Sequence, residues 1–238
     1  MKKIDFMLRI IKEAEKYISD DFNINEKGKK GDYVTCSDAA VEKFLIGEIK
    51  KEFPEFGIVS EEFNSEKQIT QNCFVMDPID GTANFALGMP LWGIQICCIE
   101  NGKTVAAAIN FPKFNELFHA DEKAAYLNGK KIAVAKMEKD TYPHYSVESG
   151  SRIPALTAMS KHSRAMRVFS AASISYAFVA AGRLHGTVLL TNNVWDYLPG
   201  FHIVEKAGGV IIENDRQKIA ACNIEFAKLM EFETVRKD

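Results

Sequence analysis

The twenty residues WGIQICCIENGKTVAAAINF (92–111) allow this chain few folds. Two apolar runs flank Asn101-Gly102, a dipeptide suited to the tight left-handed turn between antiparallel strands. A hairpin is expected here, and it needs further strands and a covering layer to bury it. The flanking sequence offers both. GIVS (57–60) and CFVM (73–76) read as short buried strands, and Asn128-Gly129 in YLNGKKIAV marks another turn. Before them, Ile4, Leu8, Ile11 and Ile18 fall on one face of a helix expected over about 4–18. Val41, Phe44, Leu45 and Ile49 do the same for a helix over about 37–53, which Pro54 stops. INEKGKKGDY (24–33), polar and glycine-containing, reads as a mobile loop between them.

The second half alternates. HYSV (144–147) and RVF (167–169) read as strands, followed by a helix at about 171–181 that Gly182 closes. GTVLL (186–190) is the next strand, then a helix from Asp196 to Lys206 with Pro199 placed in its first turn, then VIIE (210–213). Two helices with a mainly antiparallel sheet precede an α/β half, and the boundary is expected near residue 135, giving halves 1–135 and 136–238. No internal repeat or low-complexity segment is evident.

Of the 238 residues, 47% are hydrophobic and 26% charged, enough for a large core in a soluble chain, and the formal net charge of −2 gives no reason to expect nucleic acid as a partner. The five cysteines, Cys36, Cys73, Cys97, Cys98 and Cys222, form no C-x-x-C pair and are expected as free thiols in a reducing compartment. Asp5, Arg9 and Lys12 interrupt the first apolar stretch, so neither a signal peptide nor a membrane span is expected, and a cytoplasmic location follows by default.

Carboxylates recur beside strand ends and helix starts: Asp38 in VTCSD, Glu61 and Glu62 in VSEE, Asp77 and Asp80 in DPIDGT, and Asp196 in WDYLPG. Alone, each has a plain structural reading. Asp38 suits a helix N-cap, the glutamates a solvated loop, and Asp196 a first helical turn favoured by the dipole. DPIDGT resists such a reading, because a turn needs one Asx or Pro and a Gly, not two acids after an apolar strand. With Pro78 fixing the backbone, Asp77, Asp80 and the Ile79 carbonyl offer three oxygen ligands within four residues. Gly81 and Thr82 can then open a helix whose amides face a phosphate. Oxygen ligands favour Mg²⁺, Mn²⁺ or Ca²⁺, and none of the five histidines sits in a zinc motif.

These motifs, in this order, resemble the inositol monophosphatase family of Mg²⁺-dependent, commonly lithium-sensitive phosphatases. The matching positions are Asp38, Glu61-Glu62, Asp77 to Thr82, Trp195-Asp196 and Gly208-Gly209, with NFALGMP (84–90) and VAAGRLHG (179–186) also similar. The resemblance covers nearly the whole chain. It implies an α+β fold, a layered α-β-α-β-α sandwich, and a homodimer. It implies metal ligands at Glu61, Asp77, the Ile79 carbonyl, Asp80 and Asp196, holding two or three Mg²⁺ ions, with Mn²⁺ as an alternative. The implied reaction is hydrolysis of a small phosphorylated metabolite by activated water, with Glu61, or Thr82 oriented by Asp38, accepting the proton. Asp80, Gly81, Thr82, Leu189 and Asp196 fall at substrate positions.

The chain departs from the family pattern in its substrate half. Ser170 to Ser173 read SAAS where Gly-Ser-Ala-Ala is common, and Leu189 stands where inositol-selective members carry a glutamate. Leu198 and Pro199 replace small residues, and 138–166 looks shortened. A lost hydroxyl acceptor changes discrimination strongly, so a remodelled leaving-group pocket is expected. A small polyol or sugar phosphate is the leading substrate class. A 3′-phosphoadenosine 5′-phosphate phosphatase, with Lys161, Arg164 and Arg167 supplying charge, is the alternative, and a protein serving mainly to bind a partner is another.

Overall fold

Alternating apolar layers organise the chain, in a computed structural model that describes residues 2–19, 24–26, 33–138, 143–148, 165–215 and 217–231. Helix α1 (Lys3–Ala14) turns Phe6, Met7, Ile10, Ile11 and Ala14 inward and runs into a 3₁₀ turn, Glu15–Tyr17. Helix α2 (Cys36–Glu52) buries Val41, Leu45 and Ile49 and stops ahead of Pro54, whose ring disfavours helical backbone in the residue before it. Both helices cover one face of a seven-stranded sheet. Its strands, β3 (Gly57–Ser60), β4 (Cys73–Asp80), β5 (Gly93–Glu100), β6 (Lys103–Phe111), β7 (Glu116–Ala120), β8 (Ala125–Leu127) and β9 (Lys130–Lys131), lie side by side in chain order. Only β3 and β4 pair in parallel. Both asparagine-glycine turns take positive φ at each central residue, 52° and 74° at Asn101-Gly102 and 49° and 76° at Asn128-Gly129, as the twist of the flanking strands requires.

The opposite face of this sheet packs on α4 (Ala172–Ala180) and α5 (Val194–Lys206), through Val75, Cys97, Ile109 and Phe118 against Tyr176, Phe201 and Ile203. Behind these helices stands a second sheet of five strands: β10 (His144–Glu148), β11 (Ala165–Arg167), β12 (Gly186–Leu189), β13 (Val210–Glu213) and β14 (Lys218–Ala221), in the order β11-β10-β12-β14-β13. Helix α6 (Ile224–Met230) seals its outer face with Phe226 and Met230. The result is the α-β-α-β-α sandwich. The two larger sheets divide between Lys131 and His144, while one core cluster draws residues from both. No helix among the described residues is long and apolar enough to cross a membrane. None of the five cysteines is in a disulfide, and four of them are buried.

Several elements differ from expectation. Part of the segment read as a loop is a hairpin: β1 (Ile24–Glu26) pairs antiparallel with β2 (Tyr33–Thr35), while 27–32 lie outside the described residues. Backbone pairing, not an apolar face, defines such short strands, so periodicity misses them. The strand begun by CFVM continues through Asp80. Helix α5 starts at Val194, which moves Pro199 from the first turn into the helix interior. The strand read at 167–169 lies at 165–167, and β14 and α6 had no counterpart in the sequence reading. Gly182 does close α4: at φ 70° its N–H reaches the Val179 carbonyl at 3.0 Å, while Arg183 N–H reaches Phe178 at 2.8 Å.

Helices α4 and α5 approach each other closely at Gly200, where an added Cβ would lie 2.5 Å from Tyr176 Cβ and Cδ2. Gly200→Ala is expected to cost about 1–3 kcal/mol by overpacking, read as a lower urea midpoint at unchanged slope. An unchanged midpoint would show that the helices part without strain.

Candidate active site

Asp77 and Asp80 close β4, three positions apart. In a regular strand, residues an odd number apart point to opposite faces. Here the pairing with β5 slips: Asp77 opposes Gln95, and Asp80 opposes Gly93, so three steps on β4 match two on β5. The extra residue is a β-bulge at Pro78-Ile79, which returns both acids to one side. The stretch is therefore a bulged strand end followed by a turn. Gly81 (φ 88°) makes that turn and leads into α3 (Thr82–Ala86). A Cβ on Gly81 would stand 2.8 Å from the Leu91 carbonyl and 3.0 Å from Ala171 Cβ, so glycine is required by conformation and by space.

The other three acids arrive from three separate places in the chain. Asp38 is not the N-cap of α2; Thr35 is, and Asp38 is its reciprocal partner three residues on, accepting Thr35 N–H at 2.8 Å and the Thr35 hydroxyl at 2.5 Å. Asp38 Oδ1 also lies 3.2 Å from the Thr82 hydroxyl. That hydroxyl is 2.9 Å from the Ile79 carbonyl as well, so one proton serves two acceptors. Glu61 follows the end of β3, and Asp196, near the start of α5, accepts the Thr191 hydroxyl at 2.7 Å. Asp77 Oδ1 takes Ile79 N–H at 3.0 Å. Asp80 reaches across to the second half, where Ala172 N–H (3.1 Å), Ser173 N–H (2.7 Å) and the Ser173 hydroxyl bind it. The first turn of α4 is thereby capped by a side chain more than ninety residues earlier.

Burial, and then neighbouring negative charge, raises the proton affinity of the four aspartates. Burial, then the charges of Glu61, Asp80, Asp196 and Asp38, holds the Asp77 carboxyl well above its usual range. Burial pushes Asp80 up to about 6, with Glu61 adding to the rise and the Ser173 and Ala172 hydrogen bonds opposing it. Burial and Asp80 push Asp196 up to about 8. Asp38 is raised by burial and, after the opposing Thr35 bonds, by Glu61. Glu61 thus acts on all four, and the five sequence-identified acids share one electrostatic site. Among the described residues, no three or more His, Cys, Asp or Glu side chains already converge on one cation position. The donor chemistry nevertheless fits a hard divalent cation: all-oxygen, anionic and largely buried.

Some side chains supporting these acids escaped sequence reasoning. Glu42, fully buried one helical turn beyond Asp38, accepts the Ser60 hydroxyl (2.5 Å), Glu62 N–H (2.9 Å) and Phe63 N–H (2.8 Å), fixing the turn that carries Glu61. Its spacing of four from Asp38 is a same-face signal available in the sequence. Asn84, Gln95 and Glu148 had no such signal. Gln95 is fully buried opposite Asp77, and neither of its amide atoms has a hydrogen-bond partner. Leu189 is 7% exposed and belongs to the core between the sheets, so its side chain offers no polar contact at the substrate position assigned to it. Lys161 and Arg164 lie outside the described residues, and Arg167 ends β11.

A model of the inositol monophosphatase family matches residues 3–231. A Thermotoga maritima protein described as fructose-1,6-bisphosphatase/inositol-1-monophosphatase is 30% identical over 222 residues, spanning 90% of this chain and 85% of the relative. The Nus factor SuhB of Escherichia coli is 30% identical over 202 residues, spanning 81% and 75%. Among solved structures, a Thermotoga maritima IMPase superposes with a TM-score of 0.84 at 27% identity, covering 97% of both chains.

Proposed function

The chain belongs to the inositol monophosphatase family, and from that premise we propose that it is a Mg²⁺-dependent phosphomonoesterase acting on a small polyol or sugar phosphate. The observation that carries this reading is the gathering of Asp38, Asp77, Asp80 and Asp196 around Glu61, where burial first and then the Glu61 charge raise all four. A fold gains nothing from gathering five acids, three of them buried, unless a cation offsets them. Glu61, Asp77, the Ile79 carbonyl, Asp80 and Asp196 would hold two or three ions, Mg²⁺ or Mn²⁺. Such ions supply charge neutralisation for a phosphoryl group and lower the pKa of water.

The chain's own residues do the rest. Asp38 holds the Thr82 hydroxyl within 3.2 Å, a path for a proton leaving the attacking water, and Glu61 is the other acceptor. The amides of Gly81 and Thr82 face phosphate oxygens. Asp80 and Asp196 join the second half to the leaving-group side. The apolar Leu189 excludes a hydroxyl acceptor there, which supports a leaving group unlike free inositol. The halves 1–135 and 136–238 would act as the ligand-bearing and pocket-completing units of a cytoplasmic homodimer. The intact acid set favours catalysis over a purely partner-binding role.

A panel of phosphorylated polyols, sugars, 3′-phosphoadenosine 5′-phosphate and p-nitrophenyl phosphate, assayed with Mg²⁺ and then with added Li⁺, tests the proposal. Metal-dependent release of phosphate from a polyol or sugar ester is expected. No release from any ester, with Mg²⁺ binding shown by calorimetry, overturns it.

A further inference from the structure

The turn that brings α4 to the site is held from three directions. Glu148, last residue of β10 and 3% exposed, accepts Phe169 N–H (3.1 Å) and the Ser175 hydroxyl (2.6 Å) on Oε1, and Ser170 N–H (2.8 Å) on Oε2. From the first half, Asn84 Nδ2 donates to the carbonyls of Phe169 (2.7 Å) and Leu91 (2.7 Å), with Ser170 O at 3.4 Å. Two residues further on, Ala172 and Ser173 hold Asp80. The segment 169–173 therefore has its first amides on Glu148, its carbonyls on Asn84 and its last amides on Asp80.

The segment has little slack. Ser170 sits at φ 54°, a left-handed conformation that costs a serine and persists only where its surroundings impose it. Ala171 Cβ lies 3.0 Å from where a Cβ on Gly81 would stand, so the turn rests directly on the bulged strand end. Behind Glu148, Ser146 Oγ is 2.7 Å from Ser175 Oγ and 2.8 Å from Thr187 Oγ1, which anchors the carboxylate to the second sheet. Three donors and near-complete burial leave Glu148 unsuited to touching substrate. Releasing its two amides would free the turn to relax its left-handed residue and carry the Ala172 and Ser173 amides off Asp80.

We propose that Glu148 is a positioning residue for the reaction, acting through 169–173 to fix the Asp80 carboxylate in its cation-binding orientation. The proposal rests on the phosphatase reading for its catalytic consequence, and its test separates the two. In the full chain, Glu148→Gln retains shape but sets an amide NH₂ or a neutral oxygen against the backbone donors. Calorimetric Mg²⁺ affinity is expected to fall about 10-fold, a loss of one charge-assisted contact. The Mg²⁺ concentration for half-maximal p-nitrophenyl phosphate hydrolysis is expected to rise in step, with KM for the ester unchanged. Glu148→Asp is expected to recover part of the affinity. In an Asp80→Asn background, Glu148→Gln is expected to add less than 2-fold, because both changes act through one carboxylate. A folded Glu148→Gln with wild-type Mg²⁺ affinity overturns the proposal, as do additive effects with Asp80→Asn. Should the Glu148 variants fail to fold, Ser175→Ala, which removes one of the three donors, is expected to weaken Mg²⁺ binding 2- to 3-fold, and unchanged binding overturns the proposal. Mg²⁺ binding that responds to Glu148 in a chain without phosphatase activity would retain the positioning role and reject the function.

Discussion

Asp77→Asn is expected to lower kcat by on the order of 10³-fold at saturating Mg²⁺, with substrate KM changed far less. The size follows from the position. Asp77 is 2% exposed, its Oδ1 is committed to Ile79 N–H, and its proton affinity is raised by every other acid of the site. It is the residue at which a bound cation would relieve the most repulsion. Asparagine keeps the volume and can still accept Ile79 N–H, so the bulge should persist and the loss should fall on chemistry. The same substitution removes a buried carboxyl whose proton affinity burial and the neighbouring acids raise, so the thermal midpoint of the metal-free protein should rise while activity disappears. Steady-state kinetics and calorimetry on one preparation check both. Wild-type kcat at saturating Mg²⁺ would sink the assignment.

That prediction depends on the bulge, and the bulge marks the limit of what the sequence discloses. Asp77, Pro78, Ile79 and Asp80 are visible as a cluster, and their chemistry points to oxygen-bound cations. Whether two acids three apart share a face is decided by the partner strand, where Gln95 and Gly93 set the register. The hairpin at Asn101-Gly102 was legible because turn chemistry is local. The five acids were legible because residue type and order carry the signal. Asp80's contacts with Ala172 and Ser173 span more than ninety residues and leave no mark on either segment. Glu148, at the end of a strand, resembles any solvated acid until Phe169 and Ser170 are seen donating to it. Pro199 falls in a first turn only where Asp196 opens the helix, as the sequence pattern alone suggests. Val194 opens the helix, so the missing N–H falls in its interior. What the sequence withheld is mostly the support of the site, where long-range packing chooses the geometry.

The metal-free protein is expected to lose stability as pH rises from 6.5 to 8.5. Asp196 is pushed up to about 8 and Glu148 up to about 7, in both cases chiefly by burial, and Asp77 is held well above its ordinary value. In the unfolded chain all three are ionised by pH 6.5. The folded state therefore holds protons that the unfolded state has released, and stability falls with pH through this window. The contribution is fully present below the unfolded values near 4 and is lost as each folded value is passed. Histidines act in the opposite sense at lower pH. Burial lowers His202 to about 4 and depresses His119 and His185, so unfolding takes up protons below about 6.5, while the buried thiols of Cys73, Cys97, Cys98 and Cys222, raised by burial, add to the fall as pH nears 8.5. Ionising Asp196 and Glu148 across their shifts corresponds to about 2–3 kcal/mol between pH 6.5 and 8.5, or roughly 5–10 °C in Tm for a chain of this size. Scanning calorimetry in EDTA reads the slope. Mg²⁺, if held by the ionised acids as proposed, would flatten it by restoring stability most where protons are absent. Asp196→Asn should flatten it without metal. A Tm that is level or rising from pH 6.5 to 8.5 in EDTA would mean that these carboxylates do not repel one another in the folded chain.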